Sequence, residues 1–374
     1  MFRDVEVWRG LLPRQELTQV YLAMAIRSFA VSLTSLFVPL YLYKELGYTL
    51  QQTLLFFVFY SLIFAICTPV AAKFCARYGV KHGVLLSVPF YVGYIILLQL
   101  LPVMKTPLIL ISTLLGISLA LYWMGMNLVF QCVTDHKHRG EQVGKQMGVS
   151  ILATMAGPVM GGLIIESLGF TFLFVIATFF LIIGAGILFL SKDKHIPYHF
   201  SVRRLFDKKH WGDSIYFVSK GTRVMAEGVV WPLMVFTIVG NYVSLGLMGT
   251  VFSLVSAVLV WVVGKYSDHK DKRMIVWWSC GFESLTWFLR ALVSSVSGVF
   301  GISILAGVTE GVKNAPLGAL ECDKARGEIA HYYVVREIYI CLGRMLLLMI
   351  VLMVDSLHAG MLFQGFFALA ALWF

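Results

Sequence analysis

Charged side chains are scarce in this sequence. Asp, Glu, Lys and Arg make up 13% of its 374 residues, whereas apolar residues make up 59% and the mean hydropathy is +0.82. A soluble domain carries about 25% charged residues, so this chain has too few of them to cover a water-facing surface. The composition therefore excludes a soluble globular protein and indicates that lipid surrounds most of the molecule.

The sequence also lacks the patterns that bind metals or cofactors. Its six cysteines form no Cys-x-x-Cys pair and lie in or beside apolar stretches, which favours neither disulfides nor zinc. A membrane enzyme acting on lipid or isoprenoid diphosphates would need paired aspartates or a cluster of His and Glu, whereas His136 and His138 fall in a charged loop. We therefore expect no enzymatic activity, no metal and no cofactor.

Twelve apolar stretches remain when charged and turn-forming residues divide the chain. Each extends over about twenty residues, as a membrane-crossing α-helix requires and a barrel strand of about ten does not. The first is too long for a signal peptide, and the last is just long enough to cross, so the sequence leaves open whether the chain is truncated there. The predicted spans are 17–42, 50–72, 84–103, 107–133, 144–168, 170–190, 215–239, 245–263, 274–296, 299–320, 332–354 and 359–374.

Lysine and arginine are distributed unevenly between the predicted loops. The loops on one side of the membrane hold 21 of the 30, and those on the other side hold only Lys44 and Lys105. Because basic loops stay in the cytoplasm, we predict a multi-pass protein of the cell membrane with both termini cytoplasmic. Orientation then accounts for the net charge of +10, and no nucleic-acid partner is expected. The basic loops are the N-terminus, 73–83, 135–145, 192–213, 264–273 and 323–328.

Four landmarks in the first half of the chain recur, in the same order, in the second half. Their separations are nearly constant, at 193, 192, 187 and 187 residues. The repeat predicts an all-α integral membrane protein of two pseudo-symmetric six-helix bundles, residues 1–191 and 214–374, with a cytoplasmic linker at 192–213. The landmarks are Phe37-Val38-Pro39-Leu40 with Val230-Trp231-Pro232-Leu233, loop 72–81 with loop 264–273, Asn127 with Asn314, and Arg139-Gly140-Glu141 with Arg326-Gly327-Glu328.

The two loop copies, 72–81 and 264–273, resemble a loop signature of the major facilitator superfamily. That family carries Gly-x-x-x-Asp-Arg-x-Gly-Arg-Arg/Lys after spans two and eight. The second copy here matches at Gly264, Asp268 and Arg273, and the first copy matches at Arg77, Gly79 and Lys81 but has Ala72 and Ala76 where Gly and Asp are usual. The resemblance implies a gating role for these loops, with Asp268 facing a helix N-terminus or a basic side chain. A turn combined with an orientation signal is the alternative.

Span five carries a second resemblance, to the antiporter-associated Gly-Pro-x-x-Gly-Gly motif. The matching residues are Gly157, Pro158, Gly161 and Gly162, although Ala153 replaces one glycine that the motif usually contains. The resemblance implies proton antiport. The alternative is that the glycines permit close approach of a neighbouring helix while the proline bends the span.

Polar residues inside spans one, four, seven and ten form the predicted site, because the family places its central cavity among these spans. Ionisable groups at bilayer depth are costly and therefore point to function. Neutralisation within one helix, of Arg223 by Glu227 or of Glu310 by Lys313, is the alternative. Glu283 and Arg290 of span nine are expected to pair with each other or with another span. The predicted substrate and coupling-ion residues are Arg27, Trp123, Asn127, Arg223, Glu227, Glu310, Lys313 and Asn314.

These features together predict a secondary transporter that works by alternating access. Proton-coupled efflux of a small solute is the first interpretation, with Glu227 or Glu310 carrying the proton and Arg27 or Arg223 offering charge to an anionic group. Proton-coupled uptake of a small polar or anionic solute is an alternative, and so is a transport-inactive receptor or assembly factor. The expected partners are the solute, protons and the lipid bilayer, and we expect a monomer.

Overall fold

A computed structural model describes residues 15–133, 139–189, 211–266, 272–324 and 329–373. Within these ranges the chain folds into twelve helical segments, α1 to α12, which match the twelve predicted spans in order, and no strand occurs among them. The segments are α1 Gln15–Ser35 with Val38–Leu40 and Tyr41–Glu45, α2 Leu50–Tyr78, α3 Val80–Met104, α4 Leu108–Val133, α5 Arg139–Leu168, α6 Phe170–Phe189, α7 Trp211–Met225 with Ala226–Val230 and Trp231–Val239, α8 Tyr242–Tyr266, α9 Lys272–Leu292, α10 Val296–Lys324, α11 Ile329–Val354 and α12 Leu357–Phe367 with Ala368–Trp373.

The outer surface of this bundle is apolar. Nine helices of the described part are long and apolar enough to cross a membrane, and shorter apolar segments occur at Ala153–Leu168 and Leu357–Ala370. Helix α9 shows the pattern in its clearest form, because Trp278 and Phe282 are exposed while Glu283 and Arg290 are buried. A helix with its charges inside and its aromatic residues outside suits lipid as the solvent.

Helices α1 and α7 are both interrupted by a π-helical turn next to a proline. In α1 the turn Tyr41–Glu45 follows Pro39, and in α7 the turn Ala226–Val230 precedes Pro232. Proline lacks the backbone N–H that would continue the helical hydrogen bonds, and π turns of this kind often mark functional sites. The recurrence of Pro39 as Pro232 therefore corresponds to a repeated irregularity of the backbone.

The two halves meet most extensively through α5 with α8 and through α2 with α11. These pairs correspond to each other under the repeat, since α8 repeats α2 and α11 repeats α5. Residues 190–210 lie outside the described residues, and helix α7 begins at Trp211. The limits of the predicted linker, 192–213, and of the two predicted halves stay predictions.

The Gly-Pro-x-x-Gly-Gly motif lies where α5 contacts α1 and α8. A Cβ atom on Gly161 would lie 2.5 Å from the carbonyl oxygen of Leu33, and one on Gly162 would lie 2.5 Å from that of Tyr242. Both distances are shorter than a van der Waals contact, so only glycine allows these backbones to approach so closely. Close packing between helices therefore accounts physically for the glycines.

Thr250 of α8 completes this contact at the proline of α5. The Val159 N–H donates to Thr250 Oγ1 at 3.2 Å, and Thr250 Oγ1 donates to the carbonyl oxygen of Met155 at 2.8 Å. The hydroxyl thus bridges two groups that an uninterrupted α-helix would join directly. Insertion of a side chain into the helical ladder is a recognised cause of bending, and here the inserted side chain comes from the other half.

The end of the bundle opposite the basic loops is held by a polar contact between the halves. Glu166, near the end of α5, accepts hydrogen bonds from the backbone N–H groups of Tyr242 and Val243 at 2.8 and 3.1 Å. It therefore satisfies donors at the first turn of α8 and interacts favourably with the helix dipole. Tyr242 also donates its hydroxyl to Glu45 at 2.5 Å.

Candidate functional site

A cluster of opposite charges lies between α7, α9 and α10 in the C-terminal half. Arg223 of α7 forms an ion pair with Glu310 of α10, and its Nε atom lies 3.9 Å from an oxygen of Glu283 in α9. Lys313 of α10 pairs with the same Glu283. Two cations and two carboxylates therefore form one connected network that balances in charge, as burial in a membrane protein requires.

Both carboxylate oxygens of Glu310 are engaged. One accepts a hydrogen bond from Arg223, and the other accepts one from the side-chain amide of Asn314, one helical turn along α10, at 2.9 Å. The side chain of Glu310 remains 19% exposed, compared with 8% for Glu283. Glu310 is thus the more accessible of the two carboxylates in the network.

Glu227 forms a separate pair with Arg290 of α9. Arg290 donates to the Glu227 carboxylate at 2.8 Å, and its guanidinium carbon lies 4.8 and 4.2 Å from the ring centroids of Trp231 and Trp287. The alternative to a site, neutralisation of Arg223 by Glu227 within α7, is therefore replaced by pairing across helices. Glu283 and Arg290 likewise pair with other spans, which is one of the two arrangements expected for them.

A second charge cluster lies nearer the end that carries the basic loops. Its centre is Glu321, which accepts from Lys220 at 2.5 Å and from the Tyr216 hydroxyl at 2.8 Å and lies 3.3 Å from Arg336. Sequence reasoning left Glu321 out of the site because it falls one residue beyond the predicted limit of span ten. The recurrence of polar residues on α10 at Glu310, Asn314 and Glu321 was the signal that could have included it.

Asn127 is the predicted site residue that joins the two halves. Its amide nitrogen lies 3.5 Å from a carboxylate oxygen of Glu337, and its amide oxygen accepts from Arg336 at 3.4 Å. Both partners belong to α11, whereas Asn127 belongs to α4. The second charge cluster therefore extends across the interface between the halves.

Arg27 and Trp123 lie apart from these clusters and contact tyrosines of their own half. The guanidinium carbon of Arg27 lies 3.7 Å from the ring centroid of Tyr122 and 5.3 Å from that of Tyr91. Trp123 is 40% exposed and packs edge-on against Tyr122. The structure therefore brings together Arg223, Glu310, Lys313 and Asn314 and leaves Arg27 in separate surroundings.

The first loop motif forms the turn between α2 and α3. Gly79 adopts φ 107°, a left-handed conformation that favours glycine, and Lys81 donates to the backbone carbonyl of Phe189 at the end of α6 at 2.6 Å. A cation at a helix C-terminus is stabilised by the helix dipole. Arg77 lies over the ring of its neighbour Tyr78.

The second loop motif is described only at its edges. Gly264 belongs to α8 and Arg273 to α9. Asp268 lies outside the described residues, so the gating role that the resemblance implies for it stays a prediction.

Among the residues that the structure does describe, no group of three or more His, Cys, Asp or Glu side chains could hold a metal ion.

Comparison with known proteins agrees with this architecture. The crystal structure of the transporter FucP in the outward conformation superposes with a TM-score of 0.70, covering 96% of this chain and 97% of that chain at 11% sequence identity. A curated relative, the uncharacterized protein YqgE of Bacillus subtilis (strain 168), is 22% identical over 374 residues, covering 95% of this chain and 84% of its own length. The family model of the Major Facilitator Superfamily matches residues 20–346. This chain therefore belongs to the major facilitator superfamily, whose members are multi-pass membrane transporters.

Proposed function

We propose that this membrane transporter moves a small solute by alternating access and couples the movement to protons through Glu310. The observation that carries the proposal is the double engagement of Glu310 by Arg223 and Asn314 at a position that is still partly exposed. A carboxylate that holds a cation and remains accessible can exchange that cation for a proton. Glu310 combines both properties in the middle of a helix that also carries Lys313, Asn314 and Glu321.

Protonation of Glu310 would remove the negative charge that holds Arg223. A buried cation needs a compensating anion, so Arg223 would then bind Glu283, 3.9 Å away, or an anionic group of the solute. Loss of the proton would reverse the exchange, because Glu310 recovers Arg223 and displaces the solute. Proton and anionic group travel together in this scheme, which corresponds to proton-coupled uptake of a small polar or anionic solute.

Efflux by proton antiport is the second candidate, and the α5 motif favours it. Gly161 and Gly162 allow α5 to approach α1 and α8 closely, and the α5–α8 contact must rearrange when the two halves rock against each other. In an antiporter a cationic or neutral solute would compete with the proton for Glu310. The two candidates therefore differ in the direction in which protons move relative to the solute.

The charge distribution of the loops supports an orientation with both termini in the cytoplasm. We expect the protein to act as a monomer in the cell membrane, with the solute and protons as partners. A transport-inactive receptor or assembly factor would keep the fold but show no solute movement. Measurement of transport therefore separates that alternative from both candidates above.

Reconstitution into liposomes that contain the pH-sensitive dye pyranine tests the coupling. A thermal-stability screen of the purified protein in detergent first identifies a stabilising solute. When that solute is added outside, we expect the liposome interior to acidify if transport is symport and to become alkaline if it is antiport. Solute movement that is indifferent to an imposed pH gradient contradicts proton coupling, and absence of movement for every stabilising solute contradicts transport.

Replacement of the carboxylate then tests the role of Glu310. We expect Glu310→Gln to abolish the pH change, because a neutral amide can neither hold Arg223 as an ion pair nor bind a proton. Asp355→Asn is the matched control: it removes an exposed carboxylate at a turn with φ 51°, a conformation that Asn tolerates. If Glu310→Gln leaves proton-dependent transport intact, the proposed coupling through Glu310 is wrong.

A further inference from the structure

A narrow cleft in the N-terminal half lies between α1, α3, α4 and α6. Its walls are apolar, with Met24, Val88, Met126 and Leu181 among the lining residues. Arg27 is the one charged residue that lines it. The cleft therefore combines a hydrocarbon-like surface with a single positive charge.

The charge of Arg27 has no compensating anion in the described part of the chain. Arg27 is 6% exposed, and none of its three guanidinium nitrogens has a hydrogen-bond partner there. The ring of Tyr122 covers one face of the guanidinium at 3.7 Å. A cation–π contact supplies less free energy than the burial of an ion costs.

The contact with Tyr122 leaves the hydrogen-bonding edge of the guanidinium free. Arginine stacks on aromatic rings through its flat face and donates hydrogen bonds from its edge. A carboxylate or phosphate oxygen can therefore bind the Arg27 edge without displacing Tyr122. The aromatic contact fixes the orientation of the cation and leaves donors available for a ligand.

The equivalent cleft of the C-terminal half contains the anions that this one lacks. That cleft lies between α7, α9, α10 and α12, and Lys220 is one of its lining residues. Lys220 follows Arg27 by 193 residues, which is also the separation of Pro232 from Pro39. Lys220 pairs with Glu321 at 2.5 Å, and Glu283 also lines the cleft. Tyr91, which lies beside Arg27, occupies the position 192 residues before Glu283.

We propose that the cleft of the N-terminal half binds an amphiphilic monoanion, with its anionic group on Arg27 and its apolar chain along the cleft walls. A single cation in an otherwise apolar lining matches one negative charge joined to a hydrocarbon chain. Both a free long-chain carboxylic acid and an anionic phospholipid have this chemistry. The inference concerns binding within one half and does not depend on proton coupling at Glu310.

Thermal unfolding of the full chain in dodecyl maltoside tests this inference and separates the two sources. We expect laurate to raise the unfolding temperature, whereas dodecanol and dodecylamine, which have the same chain without the negative charge, do not. Stabilisation by phosphatidylglycerol but not by laurate or phosphatidylcholine identifies a membrane lipid as the ligand. Absence of stabilisation by both laurate and phosphatidylglycerol overturns the proposal.

Substitution of Arg27 tests whether this side chain binds the anion. For Arg27→Met we expect at least a tenfold loss of affinity for the stabilising anion by isothermal titration calorimetry. The unfolding temperature of the ligand-free variant should equal or exceed that of the wild type, because Arg27 has no anion in the described part of the chain that the substitution would leave unpaired. Binding of that anion to Arg27→Met with wild-type affinity overturns the proposal.

A second pair of variants tests the cleft without changing the charge. Ala185 lines the cleft, whereas a Cβ atom on the adjacent Gly186 meets no atom within 4 Å. We expect Ala185→Leu to weaken binding of the anion at least tenfold and Gly186→Leu to leave it unchanged. Equal binding by both variants overturns the proposal.

Glu310→Gln should bind the anion normally, so failure of the coupling proposal is distinguishable from failure of this one.

Discussion

Glu227 and Arg290 differ strongly in exposure although they form one ion pair. The side chain of Arg290 is 1% exposed and that of Glu227 is 31% exposed. Glu227 is therefore the more accessible member of the pair, whereas the arginine depends on Glu227 and on the faces of Trp231 and Trp287. Removal of the Glu227 carboxylate leaves the buried charge of Arg290 without an anion, whereas removal of Arg290 leaves a glutamate that is partly exposed.

This asymmetry makes a prediction about stability. We expect Glu227→Gln to lower the free energy of unfolding by about 1–3 kcal/mol, because it leaves a buried charged group poorly satisfied. Adding Arg290→Met should recover more than half of that loss, since the uncompensated charge is removed. Denaturant unfolding in detergent measures both changes. A double variant no more stable than Glu227→Gln would show that the two side chains act independently.

The charged residues also show how far single positions could be interpreted from the sequence. Spacing on α7 and α10 identified Arg223, Glu310 and Asn314 as candidates because each is polar at bilayer depth. Spacing could not identify the partner of each charge, since Arg290 and Glu227 are 63 residues apart along the chain. Partner choice depends on which faces of α7, α9 and α10 meet.

At the scale of elements, the contact between α5 and α8 depends on glycines that bring two backbones together. A methyl group on Gly162 would lie only 2.5 Å from the carbonyl oxygen of Tyr242. A backbone oxygen cannot turn aside as a flexible side chain can. The two helices must therefore separate if Gly162 gains a side chain.

We expect Gly162→Ala to destabilise the protein by about 1–3 kcal/mol, the usual cost of overpacking. The same change at Gly186, where a Cβ atom meets nothing within 4 Å, should leave stability unchanged or slightly higher. Thermal unfolding of the two purified variants measures the difference. Similar unfolding temperatures for both would contradict the close approach of α5 and α8.

At the scale of the whole molecule, the halves have diverged in chemistry while they kept the same architecture. The C-terminal half buries opposite charges that compensate one another, and the N-terminal half buries Arg27 among tyrosines. The polar contact of Glu166 with the start of α8 joins the halves at one end of the bundle. Alternating access requires that contact to open.

We therefore expect a covalent link across this contact to stop transport. The Glu166 carboxylate lies 3.1 Å from the Val243 nitrogen. Cysteines introduced at these two positions can be joined by a short bifunctional reagent that forms a disulfide with each thiol. Solute flux in liposomes should fall to background when the link forms and return when a reductant cleaves it. Each single-cysteine variant, treated in the same way, is the control. Full flux in the linked protein would contradict opening at this end.

The sequence by itself determined the helices, their number and their repeat. A helix satisfies its backbone hydrogen bonds locally, so the length of each apolar stretch was sufficient to predict α1 to α12. The match of Pro39 with Pro232 and of Asn127 with Asn314 was sufficient to predict two related halves. The last turn of α10, where Glu321 lies just past the predicted limit, shows where such boundaries become uncertain.

Only the tertiary structure decided which of the buried charges compensate one another. Arg223 pairs with Glu310 rather than Glu227, and Arg27 has no anion among the described residues. Ion pairing acts over a few ångströms between atoms of different helices, so it depends on how helices pack and rotate. Periodicity along one helix carries no information about that packing, which is why the sequence could identify the charges but not their partners.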